Sequence, residues 1–172
     1  MHYKWYLYGL FLKPMAIHRL SIDEFDEVNY QLVAIHTSLE DYHLAYVINQ
    51  NLPVLLSKSS KEIQASTKDG DATFSRYIFE DEENDIIWNL IQNKNQIQVP
   101  RKSGKTDLFT TADIATLVYL LPEFKKVDYF LKIENTDESL DELIAELQTA
   151  KQISTIYTVD ASQIKSKNNL IF

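Results

Sequence analysis

The chain has 172 residues, 45% of them hydrophobic, a net charge of −8 and no cysteine. That length suits one domain, which at this size buries roughly 70% of its unfolded surface, and ten Tyr, eight Phe and two Trp exclude a disordered or collagen-like chain. Missing thiols exclude disulfides, cysteine nucleophiles and thiolate metal sites, and the acidic balance argues against a general binder of polyanions.

At the N-terminus, Trp5 to Leu12 is an apolar run between Lys4 and Lys13, too short to span a bilayer. Lys13-Pro14-Met15 is a poor signal-peptide cleavage site. Residues 1–14 are therefore read as an upstream extension or disordered arm, with Met15 as the natural start and 15–172 as a single domain. Strands are expected at 16–22 and 30–36. A helix should follow Thr37-Ser38-Leu39-Glu40, a capping-box pattern, and run to about Gln50. Leu39, Tyr42 and Tyr46 form one stripe of it, which Leu44, Val47 and Ile48 widen, so burial on more than one side is expected. Pro53 stops it.

Further strands are expected at 54–58, 73–80, 85–91, 116–121, 127–133 and 154–160. A turn is signalled at Lys68-Asp69-Gly70-Asp71, and residues 92–110 read as the longest irregular stretch. The segment 112–121 could open as a short helix. Pro122 to Lys126 reads as a hairpin loop. In Val127 to Ile133 the alternation of Val127, Tyr129, Leu131 and Ile133 with Asp128, Phe130 and Lys132 predicts a half-buried strand. Ser139-Leu140-Asp141-Glu142, a second capping box, opens a helix with Leu140, Leu143, Ile144, Leu147 and Ala150 on one face and Asp141, Glu142 and Glu146 on the other. Strand, helix, strand thus occurs twice, at 30–58 and 127–160. Many strands with two helices favour an α+β fold, a largely antiparallel sheet with both helices packed on one face.

Motifs for chemistry are weak. With glycine only at 9, 70 and 104, phosphate-cradling loops lack their main ingredient. Ser103-Gly104-Lys105-Thr106 ends like a P-loop, but Val99 stands where its first glycine belongs. Asp69, Asp71, Thr73 and Glu80 match an EF-hand spacing, but Phe74 replaces the glycine of the sharp turn. His36 and His43, even with His18, do not make a zinc set, and His36 is better read as a partner near the core. No G-x-S-x-G occurs, and Ser38 and Ser139 read as capping residues. Acidic runs at 23–27 and 81–85 read as solvated turns. The one basic concentration is Lys94, Arg101, Lys102 and Lys105, without interleaved aromatics.

Leu121-Pro122-Glu123-Phe124-Lys125-Lys126-Val127-Asp128-Tyr129 resembles the signature of the IPExxxVDY family of Bacteroidetes, with Leu121 for the family's Ile. The likeness extends to Glu40 through Tyr46 and to the ending Ile164 through Phe172, and it also favours Met15 as the start. It implies no catalytic residue and no cofactor. Physically, the motif specifies a turn and strand register, with Glu123 accepting backbone N–H bonds. Its functional reading is a recognition surface of Glu123, Lys125, Lys126 and Asp128.

The leading expectation is a cytoplasmic, non-enzymatic module that binds a protein partner, itself included, and needs no cofactor or metal. The apolar ending Leu170-Ile171-Phe172 asks for a surface to cover it. An RNA-associated accessory factor using Lys94, Arg101, Lys102, Lys105, Lys165 and Lys167 is the alternative. An enzyme with an unfamiliar acidic cleft is a third class.

Overall fold

The computed structural model describes residues 30–99, 114–136 and 139–172. The elements are β1 (Tyr30–Thr37), α1 (Asp41–Asn51), β2 (Ser57–Lys58), β3 (Ile63–Thr67), β4 (Gly70–Phe74), β5 (Arg76–Asp81), β6 (Ile86–Gln92), β7 (Lys94–Val99), β8 (Ile114–Tyr119), β9 (Tyr129–Glu134), α2 (Asp141–Gln148) and β10 (Ile153–Val159). Six strands form a central sheet in the order β10-β1-β9-β6-β5-β2, antiparallel at every step. The hairpins β3–β4 and β7–β8 make two small sheets of their own. The fold is α+β.

Both helices pack on one face, because each carries apolar residues at helical spacing. Leu44, Ala45, Val47 and Ile48 of α1 and Leu147 of α2 meet Val33 and Ile35 of β1 and Leu131 and Ile133 of β9. The α2 stripe is as its sequence predicts, with Leu140, Leu147 and Ala150 buried and Leu143 and Ile144 packed against them. On α1 the aromatic stripe departs from expectation: Tyr42 and Tyr46 are 61% and 57% exposed. Leu44 and Ile48, a turn apart, mark the buried side, and Tyr42 and Tyr46 lie across the helix axis from it. The helix ends at Asn51, and Leu52, which precedes Pro53, is extended at φ −120° and ψ 154°, as steric conflict with a following proline requires.

Neither capping box forms. Strand β1 continues through Thr37, whose hydroxyl donates to Gln152 O (2.7 Å) and accepts from Leu39 N (3.1 Å). Glu40 becomes the N-cap of α1, with no side-chain cap bond. At α2 the N-cap is Leu140, and Ser139 instead pairs with Asp141, donating to its carboxylate (2.8 Å) and accepting from its N–H (3.3 Å).

The second face of the sheet is also covered. Leu32 and Ala34 of β1, Ile91 of β6 and Phe130 of β9 cluster with Ile63, Ala65, Ala72 and Phe74 of the first hairpin, Val118 of β8, Leu120, and Ile164 and Leu170 near the C-terminus. Strand β9 is accordingly buried on both sides, which corrects the half-buried reading of 127–133. That reading treated Phe130 and Lys132 as outward, yet they are 0% and 6% exposed. The covering layer arises because the expected strand 73–80 is broken at Ser75 and β6 is broken at Asn93. Beyond these breaks the chain continues as β4 and β7, and their hairpins turn back over the sheet. Residues 94–99 are thus strand instead of irregular loop. The expected strand 54–58 shrinks to two residues, with Val54 and Leu56 buried and Leu56 held by Asn49 through bonds of 2.8 and 3.0 Å. Strand β8 pairs with β7, and β9 with β1 and β6, so Pro122 to Lys126 is no hairpin loop: it crosses from the covering layer into the central sheet. The turn at Lys68-Asp69 joins β3 to β4 as expected. Gly70 sits there at φ 139°, where a side chain would be strained. Expectations for 1–29 and 100–113 lie outside the described residues.

Candidate interaction surface

The crossing segment at 120–128 is pinned by a residue that its sequence does not advertise, Asn93. Asn93 is 0% exposed. Its N–H donates to Asp128 O (2.9 Å) and its carbonyl accepts from Leu120 N (2.9 Å). Its side-chain Oδ1 accepts from Leu121 N (2.9 Å), and Nδ2 donates to Phe124 O and Val127 O, both at 2.9 Å. A buried amide must satisfy each of these groups, and here one side chain shapes the loop from inside. A polar residue between the apolar runs of 86–92 and 114–121 was the available signal.

Around that pin the motif folds residue by residue. Pro122 opens a 3-10 turn, Pro122–Phe124, with its fixed φ. Leu121 and Val127 are buried, and Phe124 meets Phe130 edge to face at 5.7 Å. The Tyr129 hydroxyl donates to Leu39 O (2.9 Å); burial first, then the nearby charge of Asp41, raises its pKa.

Glu123 accepts from Lys165 N (2.9 Å), Ser166 N (3.0 Å) and Ser166 Oγ (2.8 Å), so it takes backbone N–H bonds as expected, but from the C-terminal segment instead of from its own turn. Burial raises its pKa, but the Ser166 N–H and hydroxyl and the Lys165 N–H together hold it below the usual carboxylate value. Asp128 accepts from Thr37 N (3.0 Å) through Oδ2 and pairs through Oδ1 with the Lys94 ammonium. The same Lys94 donates to Lys126 O (3.0 Å).

The structure therefore brings Glu123, Lys125, Lys126 and Asp128 to one loop, but in two roles. Both carboxylates are engaged within the chain, while the Lys125 and Lys126 side chains are exposed, Lys125 with its ammonium 6.0 Å from the Tyr119 ring. Of the residues proposed for RNA, Lys94 is half-buried and paired, and Lys165 is exposed beside Glu123. Lys167 lies in a 3-10 turn, Lys167–Leu170. Arg101, Lys102 and Lys105 lie outside the described residues.

A cleft of about 510 Å3 adjoins the loop, lined by Thr67, Asp69, Leu117, Tyr119, Pro122 and Lys125 among others. Neither Glu123, Asp128 nor His36 lines it. Among the described residues, Asp69 is the one carboxylate on its wall. No group of three or more His, Cys, Asp or Glu able to hold a metal is found among the described residues. The EF-hand-like set is dispersed, with Asp71 accepting from Ser66 Oγ (2.7 Å) and Glu80 near the far end of β5. His36 is half-buried and stacks on Tyr157 at 5.8 Å, and His43 stacks on Tyr42 at 5.3 Å.

The C-terminal tail finds part of its cover on the chain itself. Leu170 is fully buried, and its carbonyl accepts from Lys132 Nζ (2.9 Å). The Phe172 ring lies within cation–π reach of both Arg76 (4.4 Å) and Lys132 (4.8 Å). Lys132 is also paired with Glu134 (3.0 Å), which in turn accepts from Asn89 Nδ2 (3.1 Å). Ile171 remains 73% exposed. No helix among the described residues is long and apolar enough to cross a membrane.

Comparison with known proteins gives no match, whether to family models, to curated proteins or to solved structures.

Proposed function

We propose that the chain is a cytoplasmic, non-enzymatic protein-interaction module, with the loop at 121–129 as its contact surface. One observation carries this reading. Glu123 and Asp128 are tied to backbone and lysine donors inside the chain, so the exposed charges of the loop that are not engaged in this way are Lys125 and Lys126, on a frame fixed by Asn93. That arrangement suits recognition of an acidic surface and leaves no free carboxylate pair for acid–base chemistry. Exposed Tyr42, Tyr46 and Leu55 add apolar contact area elsewhere. Kinship with the IPExxxVDY family is proposed on the same residues, because a motif that builds a loop of defined shape constrains its sequence strongly.

The test is affinity capture from native lysate with wild-type protein and with Lys125→Glu/Lys126→Glu. The expected result is a partner retained by the wild type and lost, by at least tenfold, from the double variant. Equal recovery of every protein by both would overturn the reading. The same loop supports a second one, an RNA-associated factor, since Lys165 joins Lys125 and Lys126 at the Glu123 cap. RNA binding that weakens steeply with salt and disappears in the double variant is its signature; retention unchanged by salt would exclude it.

A further inference from the structure

The two end strands of the central sheet differ in how they are finished. At one end β2 has only two residues, and its Lys58 is paired with Asp41 (3.0 Å) and Glu62 (3.8 Å), both devices that discourage edge-to-edge pairing. At the other end β10 has seven residues, Ile-Ser-Thr-Ile-Tyr-Thr-Val, with no charge, proline or glycine. Among the described residues its one protective feature is a register shift opposite His36 and Thr37. Because Thr155 faces His36 and Ile153 faces Thr37, Ser154 is the extra residue, and Thr155 to Val159 remains regular. Among the described residues no strand lies beyond β10.

Hydrogen-bond directions follow from the ladder. Asp128 N–H donates to Ile35 O (3.1 Å), so Ile35 turns its backbone groups toward β9. Alternation turns those of Ala34 and His36 toward β10. Tyr157 and Thr155, their partners across the ladder, therefore bond to β1. Ile156 and Thr158 point N–H and C=O away from the sheet.

We propose that this edge pairs antiparallel with the same edge of a second copy of the chain, about a two-fold axis at Tyr157. This rests on the interaction reading above and gives its self-association a place. With the axis there, Ile156 faces Thr158 of the partner subunit and Thr158 faces Ile156 of the partner subunit. These are the residues with free backbone groups, so four hydrogen bonds form without any side-chain change. Tyr157 meets Tyr157 of the partner subunit as the close, non-hydrogen-bonded pair. Such an isologous contact is complementary to itself. A second copy suits it for a further reason: the chain carries −8, and an uncharged strand lets two acidic molecules approach. Five paired residues make a contact below the roughly 1,200 Å2 of a stable interface, so the dimer is weak and forms as concentration rises. Screening of the net charge strengthens it in salt.

The chain has no cysteine, which permits a clean test by oxidative cross-linking of the full chain. Tyr157→Cys places two thiols opposite each other, with Cα atoms about 4.5 Å apart, within disulfide range. Thr158→Cys, one residue along, faces Ile156 of the partner subunit and has no thiol to meet. The expected result is at least tenfold more linked dimer from Tyr157→Cys. Equal linking of both overturns the proposal. Independently, sedimentation of cysteine-free protein should show a dimer that Thr158→Pro removes and Thr158→Val retains, because proline deletes only an outward N–H; circular dichroism confirms that both variants fold. A dimer indifferent to Thr158→Pro overturns this edge while leaving the interaction reading intact. A strict monomer that still captures a partner through Lys125 and Lys126 does the same, and a strict monomer that captures nothing overturns both.

Discussion

The two faces of the central sheet are covered by different physical means. On one, α1 and α2 lay apolar stripes across β1 and β9. On the other, hairpins, a 3-10 turn and the C-terminal tail are assembled around buried polar residues: Asn93, Asn89 and Lys132. A helix satisfies its own backbone groups and needs only a stripe to dock. Irregular segments bring unpaired N–H and C=O groups, so a face covered by them needs buried donors and acceptors. The motif loop is on this second face, and its shape is therefore set by hydrogen bonds more than by packing.

That contrast can be broken at four places, in decreasing order of effect. Phe130→Ala on the polar-pinned face removes a fully buried aromatic side chain that joins hairpin and sheet, and should destabilise by about 4 kcal/mol in chemical denaturation. Leu44→Ala on the helix face should cost a similar or slightly smaller amount, since both leave cavities. Asn93→Ala separates the faces better. It removes little apolar area, yet strands Leu121 N–H and the Val127 carbonyl, while the Phe124 carbonyl keeps the Val127 N–H, and should cost about 3 kcal/mol. A cost under about 1 kcal/mol would show that the loop is held by packing after all.

The smallest effect is expected at Glu123. Glu123→Ala removes the acceptor for three donors of the 165–166 segment, worth about 1 kcal/mol by analogy with loss of a helix cap. Its pH dependence has a fixed sign. The folded carboxyl is held below its ordinary value of 4.5, so the unfolded chain binds the proton more tightly. The contribution is complete above that value and is lost as pH falls through the lower folded one. Wild type and Glu123→Ala should accordingly converge in stability as the solution is acidified below about pH 4.5; a gap that stays constant down to pH 2 would contradict the assignment.

Much of this was legible from residues alone. The α+β class, both helices, their placement on one face and the order strand, helix, strand at 30–58 and 127–160 follow from periodicity, which is local. Glu123 was expected to accept backbone N–H bonds in its own turn, but its donors, Lys165 and Ser166, lie 42 and 43 positions away and were supplied only by the tertiary structure. Less legible were β3 and β7, whose sequences Ile63–Thr67 and Lys94–Val99 are short and polar. They are strands because each has a hairpin partner and a core beneath it, and propensity carries little of that information. The first capping box failed for a related reason: Thr37 was already committed to β1.

What the sequence by itself determined is the set of segments and the apolar side of α2, since a repeat of 3.6 or 2 residues is written in neighbouring positions. Which side of α1 is buried, which carboxylates are engaged and which edge of the sheet lies open were decided only in three dimensions. Each depends on a partner far along the chain: Tyr42 and Tyr46 are outward because β1 and β9 receive Leu44 and Ile48, Asp128 is engaged because Thr37 and Lys94 arrive beside it, and among the described residues β10 is an end strand because β9 took the other side of β1.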